Sequence, residues 1–191
     1  MGGICDIWEK NSDGTISKRP GPSCTDNFQI VSPRFSYSGL EWYSVEQAFQ
    51  ALKFPSGSIA RTAIHTTSPN NDELDWEYGK RVYDIGGPCG KFVGLQRPGW
   101  ENVKRKIMLL LNLVKYASDS SFQKELIDTG NQRIEAQEST ADWKFWNTCT
   151  QMLIRKLLHS QEDLHSVIGD VEHMAPHDVE IMLEDAHTPG S

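Results

Sequence analysis

Ser44 and Gln47 stand at the spacing of a capping box, in which the serine hydroxyl accepts a bond from the third helical N–H and the glutamine reaches back to the cap. Glu46 then becomes the second residue of a helix, where the dipole and the free N–H groups favour a carboxylate. An acid fixed there can steady a developing cation or activate a water, or it can do no more than complement the dipole. Trp100, Trp143 and Trp146 offer faces on which a planar base would stack, although tryptophans in a domain of this size are commonly core. Lys80, Arg81, Lys91, Arg97, Lys104 and Arg105 supply cations for a phosphate, or solvate exposed helix faces.

Other chemistries fail on spacing. In the stretch Gly86 to Lys91, Ile85 stands where a phosphate loop needs its first glycine, and Phe92 replaces the magnesium-binding hydroxyl. There is no GxGxxG, GxSxG or HExxH. Cys5, Cys24, Cys89 and Cys149 form no CxxC pair and have no histidine at ligand spacing, so reduced cytosolic thiols are expected. Four of the six histidines (His165, His173, His177 and His187) fall in the last stretch of chain among acids, and no metal site is expected there.

The elements that must position these residues follow from periodicity. Val45, Ala48, Phe49 and Leu52 give a helix over 45–53 its buried face, with Glu46 and Lys53 off its centre and Pro55 beyond its end. Helical stretches near 57–65 and 71–84 follow, the latter closed by Gly86-Gly87-Pro88. Pro98 opens the longest helix, 98–117, whose stripe runs through Trp100, Val103, Ile107, Leu110, Leu111 and Val114. A shorter helix over 120–128, an extended link over 132–138 and a packed helix over 142–159 complete the body. Short aromatic and β-branched runs between Phe28 and Tyr43, broken at Ser32-Pro33 and Ser38-Gly39, suit a small β-hairpin. The expectation is one α+β, mostly helical domain.

The 191 residues suffice for one domain with appendages and carry a formal charge of −7. Residues 160–191 hold eight acids and no Lys or Arg, which leaves the rest near neutral with 18 acids against 19 bases. Residues 1–25, rich in Gly, Ser, Pro and Asp, read as an extension with little core, 26–159 as the functional domain, and 160–191 as a solvated acidic tail whose removal leaves folding and activity intact. No run approaches a membrane span, the N-terminus lacks the regions of a signal peptide, and Asp6 stands where a myristoylation signal needs Ser or Thr. A cytoplasmic protein is expected.

The segment from Gly39 to Phe54, GLEWYSVEQAFQALKF, resembles the opening signature of the NADAR (YbiA-like) family. Later elements agree in order. Asn27-Phe28 resembles the family's upstream S-N-F, Gly79-Lys80-Arg81 its G-R element, and Arg97-Pro98-Gly99-Trp100 with Lys104, Met108 and Lys115-Tyr116 its R-P-x-W helix. Thr129-Gly130 with Ile134-Glu135 resembles its T-G turn, so the likeness covers about 26–158. The resemblance implies an N-glycosidase acting on phosphorylated riboflavin-pathway intermediates or on ADP-ribosylated guanine, free or in nucleic acid, without metal or organic cofactor. Two departures stand out: the glycine-rich stretch before the last helix is nearly absent, and the spacing from Glu135 to the aromatic cluster is stretched.

Breaking a ribosyl C1′–N bond builds positive charge on the sugar and negative charge on the departing base, and a fixed carboxylate steadies the first while orienting water. Carried over residue by residue, the resemblance makes Glu46 that carboxylate and Glu135 or Asp142 a second acid, with Glu138 a rival for Glu135 and helix capping a rival role for Asp142. Asn27, Phe28 and Lys53 join the substrate site, Lys80 or Arg81 meets a phosphate, and Trp100 with Trp146, or Trp143 in its place, stacks on a planar group. The other class of function is a catalytically inactive module that binds ADP-ribose or a nucleotide in the same pocket, suggested by the lost glycine-rich stretch.

Overall fold

The structure is a computed structural model and describes residues 3–137 and 140–187. It is α+β and dominated by helices. Strands β1 (Asp6–Lys10), β2 (Ile16–Pro20) and β5 (Arg133–Glu135) form an antiparallel sheet in the order β2-β1-β5. β3 (Phe35–Tyr37) and β4 (Leu40–Trp42) form a separate hairpin around Ser38 and Gly39, pairing Phe35 with Trp42. This is the hairpin read from the aromatic runs. The β1–β2 hairpin lies where an extension without core was expected. Its inner side, Cys5 and Ile7, is buried against Ile134 and Cys24, an alternation too short to stand out among polar turn residues.

Helices α1 (Val45–Leu52), α2 (Ile59–His65), α3 (Asp75–Gly86), α4 (Trp100–Ser118), α5 (Ser120–Ile127) and α6 (Ala141–His159) follow the sequence pattern closely. α4 is central: Met108 and Leu111 face the core around α1, while Leu109, Leu110 and Leu113 face the core under α6. The acidic tail is a different matter. It folds as α7 (Leu164–His173) and α8 (Pro176–His187), and Leu164, Val171, Val179, Leu183 and Ala186 are buried against the body. Arg105 of α4 pairs with Glu180 at 2.8 Å, and Lys106 donates to the carbonyls of Glu172 (2.9 Å) and Met174 (2.7 Å) at the end of α7. The solvated-tail reading is therefore corrected: two short helices need only two or three apolar residues each, spaced by four or seven, to dock one face. Among the described residues no helix is long and apolar enough to cross a membrane.

Three of the four free cysteines are buried, and burial pushes the Cys5 and Cys149 thiols up to about 12, and Cys24 up to about 11, from an ordinary 9.0. In the unfolded chain they ionise near pH 9 while the fold keeps their protons, so their contribution is complete below pH 9 and is lost above it. Lys115, which burial lowers from 10.5 to about 8, acts in the opposite sense between those two values. The Tyr116 and Tyr78 phenols, which burial also raises, act in the same sense as the thiols, and together these groups outnumber Lys115 and Lys53, so stability should fall as the pH rises from about 9 to 10.5. Urea unfolding at a series of pH values measures that slope, and a flat profile would contradict it.

Candidate active site

α1 carries the serine half of the expected capping box, while Gln47 reaches past the cap to the residue before it. Ser44 Oγ accepts the N–H of Gln47 at 3.1 Å, and Gln47 Oε1 accepts the N–H of Tyr43 at 2.9 Å. Gln47 Nε2 also lies 3.0–3.1 Å from the carbonyls of Ile64, His65 and Thr67, which ties the end of α2 to the start of α1. The N–H of Glu46, one of the helix's otherwise unsatisfied donors, bonds to the carbonyl of Asn27 at 2.8 Å. The Asn27 amide faces Asn147 of α6 at 3.4 Å.

α1 is not amphipathic in the ordinary sense, because every residue in it is buried. Glu46 (0% exposed), Gln50 (1%) and Lys53 (7%) form a polar stripe at i, i+4 and i+7 that packs inside the protein. Glu46 Oε1 accepts from Gln50 Nε2 at 2.6 Å, and Gln50 Oε1 accepts from Lys53 Nζ at 2.5 Å. Lys53 Nζ is 3.4 Å from the carbonyl of Gly86. Burial pushes the Lys53 ammonium down and the Glu46 carboxylate pulls it back up. Taking a carboxylate and an ammonium out of water costs several kcal/mol per ion, a cost that apolar residues of similar volume would avoid. α3 covers the stripe, and it can do so closely because a Cβ on Gly86 would lie 2.9 Å from Gln50 Oε1 and one on Gly79 would strike the Phe28 ring at 2.2 Å.

Beside the stripe lies an aromatic wall. The Phe49 ring meets Trp100 at 5.0 Å and Trp143 edge-on at 5.2 Å between centroids. Each tryptophan also carries a cation, Arg97 over Trp100 at 5.3 Å and Lys104 over Trp143 at 5.8 Å. A carboxylate, an amide, an ammonium and three aromatic rings thus converge around one buried helix. Such a set brings together the groups that recognise a planar base and an anion.

The other candidates are placed elsewhere. Trp146 turns from Phe49 toward Arg105, whose guanidinium sits 4.4 Å over its ring, so Trp143 and not Trp146 belongs to the wall. Lys80 is exposed and paired with Asp84 at 2.5 Å, and Arg81 is held by Glu73 at 2.7 and 2.9 Å and by the carbonyl of Ser68. Both lie on the side of α3 away from α1, while Gly79, Val82 and Gly86 take the inner side. Glu135 accepts from Trp8 Nε1 at 2.8 Å and pairs with Lys144 and Arg133, and these cations hold its carboxyl below the usual range. Asp142 is in the first turn of α6, behind the N-cap Thr140; it is exposed, accepts from Trp146 Nε1 at 3.0 Å and lies 3.6 Å from Arg105. Glu135 thus belongs to the Trp8–Lys144–Arg133 cluster and Asp142 to the Trp146–Arg105 cluster. Glu135 anchors, through Lys144, the turn that carries Trp143. Glu138 lies outside the described residues. Phe28 lines a separate cavity of about 610 Å³ with Asp26, Asp75 and Trp76.

No protein-family model matches the chain, and no curated protein or solved structure is significantly similar to it.

Proposed function

We propose that this chain is a cytoplasmic N-glycosidase of the NADAR type, hydrolysing the bond between C1′ and a base nitrogen in a ribosyl-phosphate or ADP-ribosyl compound. The observation that carries the reading is the buried Glu46–Gln50–Lys53 stripe set against the Phe49–Trp100–Trp143 wall. The Glu46 carboxylate steadies positive charge on the sugar and takes a proton from the water that bonds to C1′; as the C1′–N bond breaks, the base leaves with the bonding pair and ends with that proton, which restores the carboxylate, while the aromatic wall holds a flat group. Gln50 keeps the carboxylate pointed, and Lys53 balances its charge. The reagents are a carboxylate and water, and the reading calls for no cofactor.

Within this reading the phosphate contacts pass from Lys80 and Arg81 to Arg97 and Lys104, which flank the wall. Replacing both Arg97 and Lys104 by Gln should raise KM for a phosphorylated riboside about tenfold or more and leave an unphosphorylated one nearly unchanged. The Lys80→Gln, Arg81→Gln pair should change neither, and equal losses on both substrates would sink the assignment. The reading itself is tested by incubating the chain with a panel of N-ribosides, including riboflavin-pathway intermediates, ADP-ribosylated guanosine and ADP-ribosylated DNA, and detecting released base by mass. Binding of ADP-ribose with no base released from any of them would replace the glycosidase by a binding module.

A further inference from the structure

Lys115 and Tyr116 of α4 are both completely buried beneath the 24–27 loop. Lys115 Nζ donates to the carbonyl of Cys24 at 2.6 Å and to that of Asp26 at 3.2 Å. The Tyr116 hydroxyl lies 2.9 Å from the same Cys24 carbonyl and 2.7 Å from Gln151 Oε1. A buried ammonium whose hydrogen bonds go to carbonyls is an expensive way to fill space, since Met or Leu would fill it without desolvating a charge. What the ammonium adds is three donors at one point, able to draw several carbonyls of an irregular loop together. The loop so gathered leads straight to the candidate site. Asp26 Oδ1 accepts the N–H groups of Gly3 and Phe28, both at 2.7 Å, and the carbonyl of Asn27 between them accepts the N–H of Glu46 at 2.8 Å.

We propose that Lys115 is a positioning residue of the Glu46 site: its ammonium clamps the 24–27 loop, and the loop holds the backbone N–H of Glu46 and with it the direction of the carboxylate. The titratable groups that face Lys115 are Asp26 of the loop, Asp75 at the start of α3, the neighbouring Tyr116, and the thiols of Cys24 and Cys5. Burial keeps both thiols and the phenol protonated well into the alkaline range, and the Asp26 and Asp75 carboxyls oppose the downward push of burial on the ammonium. Burial also lowers the ammonium to about 8. Above that pH the neutral amine keeps two N–H donors but loses the charge that strengthens both bonds, and the clamp loosens.

The inference rests on the glycosidase reading only in its kinetic arm. Amide hydrogen exchange of the Glu46 N–H is measured in the wild type and in Lys115→Met, with amides of α8, which packs on α4 and α6 and not on the loop, as internal reference. Exchange at Glu46 should be faster in the variant by about tenfold or more, while α8 is unchanged. In the wild type, after correction for base catalysis of exchange, protection at Glu46 should drop in a step centred near pH 8. The step needs no variant, so it decides the matter even where Lys115→Met does not fold. Equal protection in both proteins, or a wild-type profile without the step, overturns the proposal. On a riboside that the wild type turns over, Lys115→Met should lower kcat with little change in KM; a change confined to KM counts against the clamp. A wild type that turns over nothing while showing the exchange step would sink the glycosidase and leave the clamp standing.

Discussion

Truncation after His159 is expected to unfold the protein or lower its melting temperature by about 15 °C or more. The removed segment contributes Leu164, Val171, Val179, Leu183 and Ala186 to the core that α4 and α6 share. At roughly 1.5–3 kcal/mol for each of the four larger side chains, the gross burial is about 6–12 kcal/mol, comparable with the whole net stability of an ordinary domain. Ordering the two helices offsets part of that gain, but cutting them away also uncovers the faces of α4 and α6 on which they lie and leaves Arg105 without Glu180. Circular dichroism and thermal melts of the two chains decide it: a truncated chain with an unchanged melting point would mean that α7 and α8 are dispensable to the body.

That expectation reverses the one drawn from composition, and the reason is instructive. A region with eight acids and no Lys or Arg reads as solvated because charge dominates its average. Docking depends instead on a few positions, and Val179, Leu183 and Ala186 are sufficient at spacings of four and seven. The N-terminal sheet was missed for the complementary reason. β5 has three residues and β2 is exposed throughout, so neither shows a period, and their pairing exists only when β1 lies between them. Helices α1 and α4 were legible because apolar residues recur in them at three- and four-residue spacing, over the whole length of α4.

The candidate site was legible in part. Ser44, Gln47 and the helix start located Glu46 on its first turn, as the structure has it. The burial of Gln50 and Lys53 was not readable, because Glu, Gln and Lys at i, i+4 and i+7 look like the solvent face of an amphipathic helix until α3 covers them. Trp143 and Trp146 are three residues apart, about 60° around the helix, so their spacing could not say which one faces Phe49. Lys80 and Arg81 follow Gly79, which is buried against the Phe28 ring, and one residue further along a helix turns the side chain by about 100°.

The largest catalytic effect is expected from Glu46→Gln. The amide keeps an oxygen able to accept from Gln50 and keeps the backbone bond to Asn27, so the site retains its shape while the negative charge is lost. A dipole-complementing acid on a helix's first turn is worth about 0.3–1 kcal/mol of stability, which for a chain of this length shifts the melting point by only a few degrees. Lys53 loses its nearest counter-charge but keeps its bonds to Gln50 Oε1 and to the carbonyl of Gly86. Stability therefore changes little in comparison with turnover. The decisive measurement is kcat and melting temperature for wild type and Glu46→Gln on the same N-riboside. A fall in kcat of about 10²-fold or more with the melting point within a few degrees is the predicted result, whereas normal kcat with a lowered melting point would contradict the assignment of Glu46 and the N-glycosidase mechanism built on it.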